Sequence, residues 1–241
     1  MKSIPIELKT LENDFTKYKE IHEYNNLNKL FIPQIKYKIY SKGFLFNLRD
    51  YEEEVYGRKK GKEIKKIPKK GKNIYTYYFN ENNQIIMVDN FWDNQKTGDR
   101  TFCIYENNTI KTIHYSSTDI LSNVTLATKL NNRTDKVYSY GSGGIKTREY
   151  IYNGNLLEKI VEWTKEHDPK PIEYNEFSKT LEKMFGKKTD LQREPKIANN
   201  EYLFEFKNED LEKIIRIYDD KSREIIYNKR YTYDVCKAGI L

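Results

Sequence analysis

Histidine and cysteine are scarce in this sequence of 241 residues, which contains three histidines and two cysteines. Cys103 and Cys236 lie far apart and show neither the spacing of a zinc site nor the density of a disulfide framework. His22, His114 and His167 show no metal-ligand spacing such as HxH or HExxH. We therefore expect no metal, no cofactor and a reducing compartment.

Long apolar runs are also lacking. No run approaches the roughly 18 apolar residues of a membrane span, and the first residues, MKSIPIELKTLENDF, lack the apolar core of a signal peptide. The sequence therefore predicts a cytoplasmic protein that does not contact a membrane. Its composition, with 33% charged and 37% hydrophobic residues, is typical of a soluble protein, and we predict a single β-rich domain over 1–241.

Aromatic residues, in contrast, are abundant, with 21 Tyr and 11 Phe. They alternate with polar residues in short segments that are separated by Asn-containing turns, as in the two similar segments 149–163 and 201–218. Such alternation is typical of half-buried antiparallel strands. The sequence therefore predicts a mainly β fold: a large antiparallel meander sheet, whether open, curved or partly closed, with about two covering helices.

Two segments predict the covering helices. Apolar residues recur three to four positions apart over 6–30, which predicts an N-terminal amphipathic helix. The alternating pattern stops at Pro169, and we predict a helical excursion over 168–200 that contains a helix at 174–185. The segment 116–133 fits a short helix, another strand or an irregular cover equally well.

Two further segments predict hairpins. The residues 34–40 and 44–48 alternate on either side of Ser41-Lys42-Gly43, which predicts a short hairpin. The sequence GSGG at 141–144 invites comparison with phosphate-binding loops, but those loops lead into a helix. Because this one lies between alternating segments, we interpret it as a hairpin turn.

The net charge of +7 comes from one segment. Residues 58–72, RKKGKEIKKIPKKGK, contain nine basic residues and Glu63, a charge of +8, which leaves the rest of the chain at −1. Glycines and a proline interrupt the segment, so we predict a basic loop over 57–73. A solvated loop and a loop that binds an acidic partner both fit this pattern.

The same segment supplies most of the residues that we predict to bind a partner. Phe91 and Trp92, at the end of a predicted hairpin, are of the aromatic type that is enriched at interface hot spots. The predicted partner-binding residues are Lys59, Lys60, Lys65, Lys66, Lys69, Lys70, Phe91 and Trp92. No catalytic residue is predicted, because nothing near His167 and Asp168 indicates a nucleophile elbow or an oxyanion site.

At two turns the chain resembles known proteins. YNGNL at 152–156 and YDDKS at 218–222 resemble the tyrosine-aspartate hairpins of bacterial repeat toxins and the Asn-Gly hairpins of related antitoxin-like repeat proteins. The chain as a whole resembles the cytosolic immunity proteins encoded beside polymorphic toxins, which are rich in Tyr, Asn and Lys and lack catalytic motifs. This resemblance implies a protein that binds a cognate toxin domain and blocks its active site or substrate entrance. It assigns no role to individual residues, because those proteins share no motif.

Two other functions stay open on the residues alone. The segment 58–72 could contact the phosphates of a nucleic acid, although a nucleic-acid-binding domain usually spreads its basic residues over a face and stacking aromatic residues are absent from the segment. A hydrolase with a site in 116–133, served by His114 or His167, is the third candidate. We expect a binding protein that is not an enzyme.

Overall fold

The computed structural model describes residues 5–68, 72–91, 98–167 and 195–229. Within these ranges the chain forms two α-helices, α1 (Ile6–Tyr18) and α2 (Ile21–Phe31). The strands are β1 (Tyr37–Lys42), β2 (Lys62–Ile64), β3 (Ile74–Phe79), β4 (Ile85–Phe91), β5 (Asp99–Glu106), β6 (Thr109–Tyr115), β7 (Leu121–Leu130), β8 (Arg133–Gly141), β9 (Gly144–Asn153), β10 (Leu156–Glu166), β11 (Ile197–Lys207), β12 (Asp210–Ile217) and β13 (Arg223–Asn228).

All 13 strands belong to one antiparallel sheet, in the order β13-β12-β11-β10-β9-β8-β7-β6-β5-β4-β3-β1-β2. From β3 to β13 each strand pairs with its successor in the chain, which is a meander. Among the described residues β2 and β13 are the edge strands, so the sheet is not closed. The predicted fold class is therefore confirmed, and the segment 116–133, which fitted three structures, contains β7.

The helical N-terminal segment differs from the prediction, because 6–30 forms two helices and not one. Glu20, between them, is extended, with φ −68° and ψ 130°. The hydroxyl of Tyr115 on β6 donates a hydrogen bond to the backbone oxygen of Tyr18, at 2.8 Å. This bond satisfies a carbonyl that the end of a helix leaves without an internal partner, which fixes the end of α1 on the sheet.

Both helices pack on the same side of the sheet, which we call the helix face. Leu11, from α1, and Phe102 and Ile113, from the sheet, are completely buried between them. Asp14 of α1 also forms an ion pair with Lys111 of β6, at 2.7 Å. The rest of this core consists of Leu8, Leu27, Phe31, Ile86, Met87, Tyr115, Leu121 and Val124.

The opposite side is crossed by residues 43–61, which we call the strap, and is therefore the strap face. The predicted hairpin of 34–40 with 44–48 is wrong, because 44–48 is not a strand. Phe44 packs on Tyr75 and Tyr77 instead, and the Leu45 N–H donates a hydrogen bond to the Tyr77 hydroxyl, at 2.9 Å. The apolar residues that alternate over 44–48 thus pack on the face of the sheet.

The far part of the strap lies over the later strands. Asp50 accepts hydrogen bonds from the Thr134 N–H, at 2.8 Å, and from the Tyr152 hydroxyl, at 2.7 Å. Tyr51 contacts Phe204 of β11, with ring centres 5.3 Å apart. The strap therefore connects distant parts of the meander through contacts that no single hairpin provides.

Asparagine performs the role of glycine at many of the turns. Asn83, Asn107, Asn131 and Asn208 all have positive φ, between 48° and 57°, a region that asparagine tolerates better than most residues. The segment 141–144 is the turn between β8 and β9, as predicted. Most of the predicted excursion over 168–200, including the helix at 174–185, lies outside the described residues, and β11 already begins at Ile197.

Candidate functional site

The basic segment forms one edge of the sheet. Although we predicted a loop over 57–73, Lys62–Ile64 is the strand β2, and among the described strands it pairs with β1 alone. Its neighbours Lys59, Lys60, Lys65 and Lys66 are exposed. A short edge strand with lysines resists pairing with another chain, so protection of the sheet edge is one role for this charge. Lys69 and Lys70 lie outside the described residues.

The strand register brings the second predicted contact region close to this edge. Lys62 is opposite Lys42, Lys42 is opposite Ile74, and Ile74 is opposite Phe91. Neighbouring strands lie about 4.8 Å apart, so Phe91 is roughly 14 Å from Lys62, at the same end of the sheet. The structure thus places Phe91 at the same end of the sheet as Lys42 and Lys62, whereas Trp92 lies outside the described residues.

The backbone that leads into β2 is held at several points. Arg58 forms an ion pair with Glu53 of the strap and a hydrogen bond with the Tyr75 hydroxyl. The Gly61 N–H donates to the backbone oxygen of Phe44, at 2.5 Å, and a Cβ at Gly61 would lie 2.2 Å from the backbone oxygen of Lys42. The chain therefore crosses itself at a residue that has no room for a side chain, which fixes the direction of β2.

A polar cavity of about 210 Å³ lies between the strap and the sheet. Arg49 of the strap forms an ion pair with Glu52 and donates a hydrogen bond to Thr112, at 3.1 Å. These groups fix one wall of the cavity. The other polar side chains that line it are Glu53, Tyr56, Arg58, Tyr75, Tyr77, Asn90, Asp99, Thr101, His114 and Asn123.

His114 lies in this cavity, but the other two histidines do not. Its Nδ1 is 2.9 Å from Thr101 Oγ1, and burial lowers the pKa of the imidazole, so His114 is neutral near neutral pH. His167 lies 2.8 Å from the backbone oxygen of Gly141, and His22 lies beside Glu23 on α2. The three histidines therefore lie at three separate places. Within the described residues, no group of three His, Cys, Asp or Glu side chains could hold a metal ion.

Cys103 is not a candidate nucleophile. It is 1% exposed, and burial raises the pKa of its thiol to about 12. Because the thiolate is the reactive form of cysteine, this thiol is unreactive at neutral pH. Cys103 thus acts as a small apolar residue in the sheet.

A buried ion pair forms the centre of the strap face on β9 and β10. Arg148 Nε lies 2.7 Å from a Glu162 oxygen, and the two residues are 6% and 3% exposed. The other Glu162 oxygen accepts hydrogen bonds from Asn200, at 3.2 Å, and Tyr202, at 2.9 Å. Burial raises the pKa of Glu162, but Arg148 and Lys146 outweigh burial and lower the pKa to about 2. Glu162 is therefore ionised at physiological pH.

Tyr56 of the strap lies against this pair. Arg148 donates a long hydrogen bond, 3.5 Å, to its hydroxyl. The positive groups of Arg148, Arg58 and Lys146 lie 5.4, 5.6 and 5.9 Å from the centre of the Tyr56 ring. Arg148 lowers the pKa of Tyr56, burial raises it, and Lys146 lowers it further, with a net value of about 8. The hydroxyl therefore lies in a strongly positive local potential.

The sequence did not point to this cluster. Arg148, Glu162 and Lys146 occur in strands that alternate charged and apolar residues, a pattern in which charged side chains usually face solvent. The only local signal is that Arg148, at every second position with Tyr150 and Tyr152, lies on the same face of β9 as these two tyrosines. Both tyrosines belong to the apolar cluster on that face. Tyr56 reaches the cluster through the strap, where the sequence predicted a hairpin strand at 44–48 and a loop that begins at 57.

Comparisons with known proteins add no relative. No family model matches the chain, and no curated protein sequence matches it. No helix within the described ranges is both long enough and apolar enough to cross a membrane.

Proposed function

We propose that this chain is an immunity protein that binds a cognate bacterial toxin domain and blocks the activity of that domain. The contact surface is the basic edge at β2 together with Phe91. The large sheet provides a platform for this surface, and the strap fixes its position. This function is a binding function and requires no catalytic residue.

The observation that carries the proposal is the row Lys62, Lys42, Ile74 and Phe91 across one end of the sheet. A cluster of exposed lysines beside an aromatic residue combines long-range attraction for an acidic surface with an apolar contact. The ion pair of Arg58 with Glu53 and the crossing at Gly61 hold the backbone before any partner arrives. Such preorganisation lowers the entropy lost on binding.

Co-expression tests the function directly. The probe is the C-terminal domain of the large protein encoded by the neighbouring gene, and the readouts are growth of the host and isolation of a complex. Rescued growth with a stoichiometric complex supports an immunity protein. A harmless neighbour, or a toxic one that does not bind, contradicts the proposal.

Neutralising the basic edge should slow complex formation. We expect the replacement of Lys60, Lys62, Lys65 and Lys66 by Gln to lower the association rate constant by about tenfold at low salt, because charge at an interface rim mainly steers the encounter. The dependence of that rate on salt concentration should become weaker. Stopped-flow mixing with the toxin domain over a salt series measures both quantities.

A matched control removes the same charge from another surface. Lys9, Lys17, Lys19 and Lys29 are exposed on and beside the two helices, and their replacement by Gln should leave the association rate near that of the unchanged protein. Equal slowing by both quadruple variants would show that net charge alone matters. Retention of DNA or RNA by the unchanged protein above about 0.2 M salt, lost in the β2 variant, would favour nucleic acid as the partner instead.

The cavity supports hydrolysis as a second candidate function, because it places a neutral His114 near Asp99 and Glu52. Binding does not need this imidazole as a base, so we expect His114→Gln to protect the host as well as the unchanged protein does. Circular dichroism establishes that the variant is folded. Loss of protection by a folded His114→Gln that still binds the toxin domain would make hydrolysis the better interpretation.

A further inference from the structure

The strap face carries a row of alternating cationic and aromatic side chains that the proposed contact surface does not use. Beyond the contacts of Tyr56, the Arg148 guanidinium is 5.8 Å from the Tyr202 ring centre, and Arg216 is 5.8 Å from Tyr202 and 4.5 Å from Tyr218. Tyrosine and arginine are the residue types enriched at interface hot spots. The row therefore has the composition of a binding surface.

Most of this row is closed to a large ligand. Tyr202 is 4% exposed and Arg148 is 6% exposed, so the bases of a single-stranded nucleic acid could not stack on the middle of the row. Tyr56, in contrast, is exposed over 47% of its surface. The side chains of Arg58 and Lys146 beside it are 34% and 33% exposed. The accessible part is thus the Tyr56 side chain with two flanking cations.

The charge around Tyr56 fits a single negative group. Arg58, Lys146 and Arg148 provide three positive charges, and their partners Glu53 and Glu162 provide two negative charges. Among these five described groups one positive charge is in excess. A monoanion neutralises this excess, whereas a phosphate dianion would bring more negative charge than the cluster balances.

We propose that Tyr56, Lys146 and Arg58 form an oxyanion site on the strap face that binds one carboxylate of a partner protein. The Tyr56 hydroxyl and the Lys146 ammonium donate hydrogen bonds to the carboxylate, and Arg58 attracts it. This inference rests on the proposed function, because it assigns an acidic side chain of the toxin domain to this site. It adds a second contact region, separate from the lysines of β2.

The ionisation of Tyr56 gives a direct assay. Its pKa is about 8, while burial raises the pKa of Tyr77 to about 12, so Tyr56 should contribute a phenolate absorbance change between about pH 7 and pH 9. Tyr56→Phe should abolish this absorbance change. A carboxylate bound next to the phenolate disfavours ionisation, so acetate should raise the midpoint by about one pH unit relative to chloride at the same ionic strength.

Two lysine variants test the site itself. Lys146→Gln should remove the acetate effect, whereas Lys159→Gln, the same change on the helix face of β10, should keep it. The absence of an acetate effect in the unchanged protein, or its persistence in Lys146→Gln, would overturn the site. An effect of phosphate without an effect of acetate would overturn the choice of a carboxylate.

The assay separates this inference from the function on which it rests, because acetate binding does not require the toxin domain. Without an acetate effect, a complex with the toxin domain would leave the immunity function standing and remove only the Tyr56 site. An acetate effect without any toxin complex would support the site and overturn the immunity function. If both are observed, Lys146→Gln should weaken the complex by about tenfold, as for a charged hydrogen-bonding group at an interface.

Discussion

Replacing Arg148 by Met is expected to lower the free energy of unfolding by about 3–5 kcal/mol. The change leaves the Glu162 carboxylate, which is 3% exposed, without the guanidinium that lies 2.7 Å away. Lys146, at 3.6 Å, is then the nearest cation, and its side chain is one-third exposed. Urea denaturation followed by circular dichroism measures the loss.

Replacing Glu162 as well distinguishes the loss of the ion pair from the loss of packing around Arg148. In a variant with both Arg148→Met and Glu162→Met, no unpaired charge stays buried, so most of the lost stability should return. Lys159→Met is the control, since the side chains of its ion pair with Glu201, at 3.7 Å, are 30% and 44% exposed, and such a pair should contribute at most about 1 kcal/mol. A double variant no more stable than Arg148→Met alone would show that the Arg148 side chain acts through packing.

The same variant bears on the proposed carboxylate site. Arg148 is the main cause of the low pKa of Tyr56, so Arg148→Met should move the Tyr56 pKa upward, toward the ordinary value for tyrosine. The ion pair therefore has two separable roles. Arg148 balances the buried charge of Glu162, and it provides most of the positive potential at the Tyr56 side chain.

The meander could be predicted from the sequence because most strands pair with the next strand in the chain. Short segments of sequence are therefore enough to indicate it. Alternating aromatic or aliphatic residues define most of its strands, and Asn-containing turns such as that at Asn107 join neighbours in the chain. The strap could not be predicted from such a pattern. Phe44, Phe46 and Leu48 alternate as a strand does, but the alternation packs them on the strap face of β3 and β4. An apolar residue at every second position indicates that one side of the segment is buried. It does not indicate which surface of the protein covers that side.

The candidate sites depend on contacts between residues far apart in sequence. Lys62 and Phe91 are neighbours only through the registers of β1 and β3. The end of α1 depends in the same way on Tyr115, which is 97 residues from Tyr18. Arg148 and Glu162 occur in strands that alternate charged and apolar residues, a pattern in which charged side chains usually face solvent. Sequence reasoning therefore found the charged surface and missed the charged interior.

The largest loss of stability from an uncharged change is expected at Phe102. Its side chain is fully buried on β5, and its ring centre lies 5.3 Å from that of Phe31 and 6.1 Å from those of Tyr24 and Tyr115. Phe102→Ala leaves a cavity between α2 and the sheet and should cost about 3–5 kcal/mol. Phe102→Leu fills most of that space, so its cost should be smaller, about 1.5 kcal/mol.

Hydrogen exchange would show which elements Phe102→Ala destabilises. In Phe102→Ala, the amides of α2 should exchange faster than in the unchanged protein by a larger factor than those of β11, because the cavity removes the contact that holds α2. Phe102 lies on the helix face, away from both the lysines of β2 and Tyr56. The folded fraction of this variant should therefore bind the toxin domain at the unchanged rate. Slower binding by that fraction would show that the helices take part in the interface, and the platform would then have to include both faces of the sheet.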